Sequence, residues 1–319
     1  MPLGEFDLIH RYFERPIEQR QDVIVGIGDD GAVVRVPPGV ELVLTSDTLV
    51  AGVHFSEDIP PEDLGYKALA VNLSDLAAMG ARPAWATMAL TLPQAEEAWL
   101  AAFAQGFFEL AQRFSVALIG GDLTRGPLSI TVQMHGFVPE GRALRRSGAQ
   151  AGHYIYVTGT LGDAALALTP RLAELTDTYR PYLLGRLYRP SPRISEGMIL
   201  RAIASSAIDI SDGLVADLGH ILETSHVGAV LEVDRLPLST ALQKIKDKKY
   251  GWELALTGGD DYELCFTLPP EHQAVLESKR SDFACTVSCI GRIEVERGLR
   301  CIEHDGTPYI PQGAGYRHF

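Results

Sequence analysis

Apolar and polar residues alternate along several short segments in the first half of the chain. In residues 129–138, for example, Ile130, Val132 and Met134 alternate with polar neighbours. A period of two residues is typical of a β-strand with one buried face, because successive side chains point to opposite faces. On this pattern we predict strands over residues 23–25, 42–46, 84–92, 116–119 and 129–138.

Two longer segments of the first half have helical spacing instead. Residues 61–79 begin at a proline and are followed by Gly80 and Pro83, which are typical of a helix start and a helix end. Residues 94–114 carry an apolar stripe at helical intervals, which predicts a helix that packs on a core. That stripe consists of Trp99, Phe103, Phe107, Leu110 and Phe114.

A segment rich in Gly, Arg and Ser, PEGRALRRSGAQAG at residues 139–152, interrupts this pattern. It is the best candidate for a domain boundary, because the periodic segments stop before it and restart after it. We therefore predict an N-terminal domain over residues 1–148 and a C-terminal domain over residues 149–319, each mixing α and β, so that the fold class is α/β (α+β). The second half predicts strands over residues 154–158, 207–210, 227–233 and 264–268, and helices over residues 162–168 and 214–223.

The composition narrows the possible partners. The chain has 319 residues with 28 Lys and Arg against 41 Asp and Glu, a formal net charge of −13. Such a charge disfavours binding to nucleic acid or to an anionic membrane. No apolar stretch is long enough to predict a membrane span, and the N-terminal residues lack the apolar core of a signal peptide. The four cysteines show no paired spacing, which favours a reduced, cytoplasmic protein.

The segment GIGDDG at residues 26–31 matches the glycine pattern of dinucleotide-binding loops. Two features argue against a Rossmann site. The residues that follow, AVVRVPP at 32–38, predict a strand and a turn rather than a helix, and two aspartates would repel a pyrophosphate. The P-loop pattern GxxxxGK[ST] does not occur either. We therefore expect neither of these nucleotide-binding loops.

Aspartates recur in one kind of setting, beside Gly, Ser or Thr at the end of a short apolar segment. Any one of them could form a turn or cap a helix, but so many together indicate a ligand. Oxygen ligands without a His or Cys cluster favour Mg²⁺, whose shell is usually completed by substrate phosphates. Arg145 and Arg146 could reach a phosphate from the boundary or lie in a solvated loop. The aspartates are Asp29, Asp30, Asp47, Asp75, Asp122, Asp209, Asp212, Asp260 and Asp261.

Taken together and in order, these motifs resemble bacterial thiamine-monophosphate kinase, a family of the aminoimidazole ribonucleotide synthetase-like superfamily. They cover nearly the whole chain, and the set is specific although each motif alone is weak. GVHF and the aromatic-x-HF ending favour this family over selenophosphate synthetase and the hydrogenase-maturation relatives, which would carry characteristic cysteines. The segments are GIGDDGAV, LTSDTLVAGVHF, DLGYKALAVNLSDLAAMGARP, IGGDLTRGP, YVTGTLGDAALAL, DISDGL, LTGGDDYEL and GYRHF.

The resemblance implies a two-domain fold in which strands of the N-terminal domain form a β-barrel between the subunits of a homodimer. It implies the ATP-dependent phosphorylation of thiamine monophosphate to thiamine diphosphate, the last step in making that cofactor, assisted by several Mg²⁺ ions. The acceptor is a phosphate monoester that already carries an anionic oxygen. Direct in-line transfer without a general base is therefore expected.

Carried over position by position, the resemblance also implies three sets of site residues. The metal ligands would be Asp30, Thr45, Ser46, Asp47, Asp75, Asp122, Asp209 and Asp212, with Asp47, Asp75 and Asp122 central. The ATP contacts would be Gly121, Asp122, Arg146 and Ser211, with Phe107 as a candidate aromatic contact from the helix over residues 94–114. The contacts to thiamine monophosphate would be His54, Glu263 and Tyr316. Tyr316 stands where many members have Trp, and its smaller ring can still stack on thiamine.

Two other functions remain open at this point. An ATP-dependent cyclo-ligase or another acyl-phosphate-forming enzyme of the superfamily would use similar acids. A nucleotide-binding regulatory dimer without turnover would not need the near-complete set of acids. Local alternatives remain as well: His54 could be a turn histidine, Glu263 a solvated acid and Tyr316 a residue of a frayed terminus.

Overall fold

The computed structural model describes residues 4–14, 20–245 and 247–316. The chain divides into two compact units. Unit 1 extends to Leu76 and resumes from Ala81 to Gly141, and unit 2 comprises Ala77–Gly80 and the chain from Arg142 onwards. The functional division between residues 148 and 149 stays a prediction.

Unit 1 combines helices with a mixed sheet. In chain order its elements are α1 (Glu5–Leu8), which continues as a short π-helix (Ile9–Phe13), β1 (Val23–Val25), β2 (Val33–Val34), β3 (Val40–Val50), α2 (Pro61–Ala78), β4 (Arg82–Leu92), α3 (Glu97–Arg113), β5 (Ala117–Arg125) and β6 (Ser129–Pro139). The main sheet has four strands in the order β3-β6-β4-β5, so that β3 and β5 form its edges. The pair β4–β5 is parallel, and β6 runs antiparallel to both of its neighbours.

The helices of unit 1 bury the faces that the sequence predicts. Phe103 and Phe107 of the apolar stripe are fully buried in α3. α3 also approaches α2 so closely that a Cβ on Gly106 would lie 1.8 Å from the carbonyl oxygen of Glu62. Only glycine fits at such a contact. This packing fixes α2, which carries Asn72 and Asp75 against β3.

Unit 2 is larger and also mixes helices and strands. Its elements are β7 (Tyr154–Thr158), α4 (Asp163–Ala167), α5 (Arg180–Tyr188), α6 (Ile194–Leu200), β8 (Ser206–Asp209), α7 (Leu214–Ser225), β9 (Gly228–Glu232), α8 (Thr240–Gln243), α9 (Lys248–Thr257), β10 (Leu264–Leu268), α10 (Gln273–Ser278), β11 (Val287–Glu294), β12 (Gly298–Ile302) and β13 (Pro308–Tyr309). Short 3₁₀ turns span Pro170–Glu174, Val233–Arg235, Pro270–His272 and Arg280–Asp282.

A seven-stranded sheet in the order β13-β12-β9-β11-β7-β10-β8 organises unit 2. Its neighbouring strands are antiparallel except for β9 and β12, which are parallel. Every residue of β10 is buried. Asp209, the last residue of β8, pairs with Leu264, the first residue of β10. This pairing brings Asp209 and the neighbouring Glu263 to the same end of the sheet.

The predictions made from periodicity are largely confirmed. The strands over residues 154–158 and 264–268 coincide with β7 and β10, and the helix over residues 61–79 coincides with α2 to within one residue. The rejection of a Rossmann loop is confirmed too, because residues 26–31 lead into β2, which pairs with β1 as an antiparallel ribbon. The helices α5, α6 and α9 and the strand β11 were not predicted. No helix in the described ranges is long and apolar enough to cross a membrane.

Candidate functional site

Thr45, Asp47 and Asp75 lie where α2 packs along β3. The Thr45 hydroxyl donates to Oδ2 of Asp75 at 2.5 Å. The backbone N–H of Asp47 donates to Oδ1 of Asn72 at 3.1 Å, and the Asn72 amide donates to the Ala68 carbonyl at 3.1 Å. Asn72 and Asp75 are three residues apart and therefore share one face of the helix. The structure thus brings together three of the predicted metal ligands at the β3 edge of the sheet.

Asp30 and Asp122 line a cavity at the opposite edge of the sheet. The cavity has a volume of about 540 Å³, and its wall includes residues 27–32 and 118–123. Both aspartates are exposed. Gly121 has a φ of 151°, and a Cβ there would lie 1.9 Å from the Met88 carbonyl oxygen, so glycine is required. Bare backbone between two carboxylates suits a polyphosphate that carries a cation.

These two groups of acids are far apart within one chain. Strand pairing places Asp47 of β3 and Gly121 of β5 in one row across β6 and β4. Three strand spacings separate the ends of that row, which amounts to about 14 Å. Asp122 follows Gly121, so its side chain points to the other face of the sheet from Asp47, and Ser46 likewise points away from Thr45 and Asp47. Asp47 and Asp122 of one chain therefore do not form a shared ion site.

His54 lies in the turn that follows β3. The backbone N–H of Val50 donates to Nδ1 of His54 at 3.0 Å, and the backbone N–H of His54 donates to the Val50 carbonyl at 3.0 Å. Because Nδ1 accepts a hydrogen bond, the neutral ring carries its proton on Nε2. The turn therefore presents His54 as a donor through Nε2.

In unit 2, the loop ISDG at residues 210–213 joins β8 to α7. The backbone N–H groups of Ser211, Asp212 and Gly213 donate to Oδ2 of Asp217 at 3.1, 3.0 and 3.1 Å. Asp217 lies in the first turn of α7 and is 3% exposed. Burial raises the pKa of Asp217 to about 7, although the three N–H donors oppose this shift. Asp209, at the end of β8, is 5% exposed, whereas Ser211 and Asp212 are half-buried.

The carbonyl groups of the same loop contact two other segments. The N–H groups of Asp260 and Tyr262 donate to the carbonyls of residues 211 and 210 at 2.9 and 2.8 Å. Both residues have a positive φ, 66° for Asp260 and 50° for Tyr262, which is a strained conformation for a bulky side chain. The N–H of Tyr316 donates to the Asp212 carbonyl at 2.9 Å. Unit 2 therefore holds the backbone of Tyr316, whose side chain is exposed, at the backbone of the predicted metal ligand Asp212.

Glu263 is fully buried and accepts four hydrogen bonds. Its Oε1 accepts from Nη2 of Arg186 at 2.9 Å and from Nη2 of Arg193 at 2.6 Å. Its Oε2 accepts from Nε of Arg193 at 2.6 Å and from the Thr158 hydroxyl at 2.7 Å. The carboxylate thus ties β7, α5 and the chain before α6 to the start of β10. A ligand could bind this carboxylate only by replacing one of those donors.

Two further carboxylates complete a buried network around Arg186. Oδ2 of Asp163 lies 3.8 Å from Nε of Arg186. Both oxygens of Asp261 accept the Gly162 N–H, at 3.1 and 2.8 Å. Burial raises the pKa of Asp261 well above its usual value, and the nearby charge of Arg186 opposes this rise. These acids are partnered by donors that the chain itself supplies.

Arg146 is exposed in the segment that precedes β7. Its carbonyl accepts from the Ser225 hydroxyl at 3.4 Å, and the carbonyl of the adjacent Arg145 accepts the Ala207 N–H at 2.9 Å. These contacts tie Arg145 to β8, the strand that ends at Asp209, and Arg146 to the last residue of α7.

Phe107, the candidate for an aromatic ATP contact, is fully buried and packs edge-on against Phe108. A ring in that position faces the core and offers no surface to a nucleotide. The aromatic residues Phe6 and Phe13 do line the Gly121 cavity.

The donor chemistry of unit 1 fits Mg²⁺. The residues concerned offer hydroxyl and carboxylate oxygens, which are the ligands that this hard cation prefers. Within the described part of the chain, no three Asp, Glu, His or Cys side chains form a group that could hold a metal ion. Mg²⁺ usually binds one or two carboxylates while water and substrate phosphates fill its shell. Two carboxylates beside bare backbone, as in the Gly121 cavity, suit that mode of binding.

Comparisons with known proteins identify the family. The model for AIR synthase related protein, N-terminal domain, matches residues 28–138, and the model for the C-terminal domain matches residues 150–303. The chain is 50% identical to thiamine-monophosphate kinase of Escherichia coli over 322 residues, which cover 100% of this chain and 99% of that protein. It belongs to the thiamine-monophosphate kinase family.

Solved structures of the same family agree with the fold of this kinase. The enzyme from Stenotrophomonas maltophilia is 47% identical with a TM-score of 0.85, over 91% of this chain and 93% of that chain. The complex of AaThiL with AMPPCP and TMP is 34% identical with a TM-score of 0.76, over 100% of this chain and 99% of that chain. The expected two-domain α/β fold and family membership are therefore confirmed.

Three residues that organise unit 2 of the kinase were not predicted: Asp217, Arg186 and Arg193. Asp217 could have been found from the sequence, since an acid in the first turn of a helix can accept hydrogen bonds from the loop before it. Arg186 and Arg193 lie in RLYRPSPR, which has no periodic pattern and no known metal-ligand spacing. Their role depends on contacts with Glu263, which is 70 or more residues away in the sequence.

Proposed function

We infer that this chain transfers a phosphate group from ATP to thiamine monophosphate and so forms thiamine diphosphate, as the last step in making that cofactor. The full-length similarity to thiamine-monophosphate kinases supports this function. The structural observation that carries it is the Gly121 cavity, where bare backbone lies between the carboxylates of Asp30 and Asp122. Acids alone would repel ATP, and a cation between acids and phosphates removes that repulsion.

The residues of the site take distinct roles in this proposal. Bound Mg²⁺ would screen the phosphate charges and stabilise the transferring group. Gly121 lets the backbone approach the phosphates, while Ser211 and Arg146 donate hydrogen bonds to ATP. The ions would be held by Asp30, Thr45, Ser46, Asp47, Asp75, Asp122, Asp209 and Asp212.

The acceptor substrate explains why the site needs no general base. A phosphate monoester supplies its own anionic oxygen, so transfer is direct and in line, without a phosphorylated enzyme. His54 donates through Nε2 to thiamine monophosphate, and the exposed ring of Tyr316 stacks on it. Glu263 contributes by holding Arg186 and Arg193 beside the start of β10, and direct contact with the substrate would exchange one of its present donors.

We propose that the active form is a homodimer with composite active sites. If two four-stranded sheets close into one barrel, β3 of one subunit lies beside β5 of the other. Asp47 and Asp75 of one subunit and Asp122 of the partner subunit then border the same seam of the barrel from its two faces, where a polyphosphate with its cations would reach both. Within one chain the edges of the sheet that carry them lie about 14 Å apart. Leu44 on β3 is 54% exposed and would be covered by this contact.

The remaining assignments follow from this arrangement. Residues 1–148 would form the domain for ATP, Mg²⁺ and dimerisation, and residues 149–319 the second domain. The four cysteines are all free thiols, which suits the reduced cytoplasm.

Mixing two inactive variants tests the composite site. Asp47→Asn and Asp122→Asn should each reduce formation of thiamine diphosphate by at least about 100-fold, because each removes a carboxylate from the phosphate site. After the two variants are mixed and their subunits exchanged, half of the dimers carry both variants, and one of the two sites in each is intact. The mixture should therefore regain about a quarter of wild-type activity.

A second mixture provides the control. Asp47→Asn mixed with Asp75→Asn places both changes on the β3 side, so neither site is intact in any dimer and no activity should return. No recovery in the first mixture despite confirmed subunit exchange would contradict the composite site. Near-normal activity of Asp75→Asn alone would contradict its role as a metal ligand.

A further inference from the structure

Both the N–H groups and the carbonyls of the ISDG loop, residues 210–213, make hydrogen bonds within the chain. Its N–H groups at residues 211–213 turn towards the buried Oδ2 of Asp217. Its carbonyls at residues 210–212 turn towards the N–H groups of Asp260, Tyr262 and Tyr316. Few polar groups of this loop are left to meet a ligand except its side chains.

Successive backbone N–H groups that point at one place form a site for an anion. In this loop that site is occupied by a carboxylate of the chain itself, in the first turn of α7, where the helix dipole also favours negative charge. The three N–H groups are therefore not available to a phosphate of ATP. Any contact of the loop with ATP or with a cation has to come from the Ser211 hydroxyl and the Asp212 carboxylate.

We propose that Asp217 is a positioning residue for nucleotide binding, which sets the direction of the Ser211 and Asp212 side chains by holding the backbone that carries them. This inference rests on the proposed roles of Ser211 and Asp212 at the ATP site. Asp217 itself is 3% exposed and acts through the loop rather than by touching a substrate. Without its carboxylate, three buried N–H groups lose their acceptor and the loop rearranges to regain partners.

Steady-state kinetics of two Asp217 variants test the proposal. Asp217→Leu removes the acceptor and should raise the KM for ATP at least about tenfold, since misplacing a binding group by about 1 Å is costly, while the KM for thiamine monophosphate changes less than about twofold. Asp217→Asn keeps one acceptor oxygen in the same shape and should restore part of the ATP affinity. If the Leu variant does not fold, the Asn variant decides, with an expected rise of a few-fold in the KM for ATP alone.

Glu196→Gln is the matched control. Glu196 is also a buried acid of unit 2 that accepts a backbone N–H, from Ala284 at 3.0 Å, and its other oxygen accepts from the Ser195 hydroxyl at 2.8 Å. Its variant should leave the KM for ATP unchanged even if its melting temperature falls. An unchanged KM for ATP in the Asp217 variants, or an equal change for both substrates, would overturn the proposal.

Ser211→Ala separates this proposal from the one on which it rests. If Ser211→Ala raises the KM for ATP and the Asp217 variants do not, the positioning role is wrong and the ATP contact stands. If Ser211→Ala and Asp212→Asn both leave ATP binding unchanged, the assignment of the loop to the ATP site is wrong. Binding of a fluorescent ATP analogue gives the same comparison independently of turnover.

Discussion

The segments GIGDDG in unit 1 and TGGDDY in unit 2 look alike in the sequence, but the structure uses their acids differently. Asp30 is exposed and lines the Gly121 cavity. Asp261 is 1% exposed and accepts the Gly162 N–H with both oxygens, close to Arg186. An acid whose partners are built into the chain supports the fold, whereas an acid at the wall of a cavity is available for a cation.

The same contrast extends to the neighbours of each segment. In unit 2, Glu263 accepts four hydrogen bonds, and Asp217 accepts three through one oxygen. In unit 1, Asp122 lies exposed at the edge of the sheet, beside backbone that only glycine can form. Changes to the first kind of acid should therefore affect stability most, and changes to the second kind should affect turnover.

Glu263→Gln should give the largest loss of stability. The change leaves Arg186 and Arg193 facing a neutral amide in a buried site, which costs about 3–5 kcal/mol in the free energy of unfolding. Chemical denaturation of the ligand-free protein, followed by Trp fluorescence, measures this loss.

Asp122→Asn is the paired control for that measurement. Its exposed side chain should change the free energy of unfolding by no more than about 0.5 kcal/mol, although activity is lost. If the two variants unfolded with similar free energies, the distinction between supporting acids and ligand acids would not hold.

Thr158→Val should have a smaller effect in the same direction. The Thr158 hydroxyl donates to Oε2 of Glu263 and accepts the N–H of Leu264 at 2.8 Å. Valine has the same shape and leaves that N–H without an acceptor, at a cost of about 1–3 kcal/mol. Thr307→Val, on the surface turn after β12, serves as a control that should cost less than about 0.5 kcal/mol. If Thr158→Val lowered the free energy of unfolding no more than this control does, the Glu263 network would not contribute to stability.

The elements with clear periodicity could be predicted from the sequence, because a buried face imposes a period of two or of 3.6 residues on β6, α2 and α3. The short helices α5 and α6 could not, since their burial depends on distant partners such as Glu263. The candidate ligands were recognised as a set of similar motifs, but which acids are buried was not visible. An Asp-Asp pair follows a glycine in both units. The two pairs differ in their surroundings, which are a buried arginine, Arg186, in unit 2 and an open cavity in unit 1.

The distance between the two edges of the unit 1 sheet could not be predicted from the sequence either. Asp47 and Asp122 both follow short apolar segments, and the sequence gives no strand order. Only the order β3-β6-β4-β5 shows that they lie at opposite edges of the sheet.

Diffraction from crystals grown with Mn²⁺ and a non-hydrolysable ATP analogue tests the central distinction most directly, because the anomalous signal of Mn²⁺ locates each ion. We expect ions beside the carboxylates of Asp30, Asp47, Asp75 and Asp122, in contact with the phosphates of the analogue. No ion is expected among Asp163, Asp261 and Glu263. An ion bound within that buried network, or unit 1 carboxylates without any ion while the analogue is bound, would contradict the account.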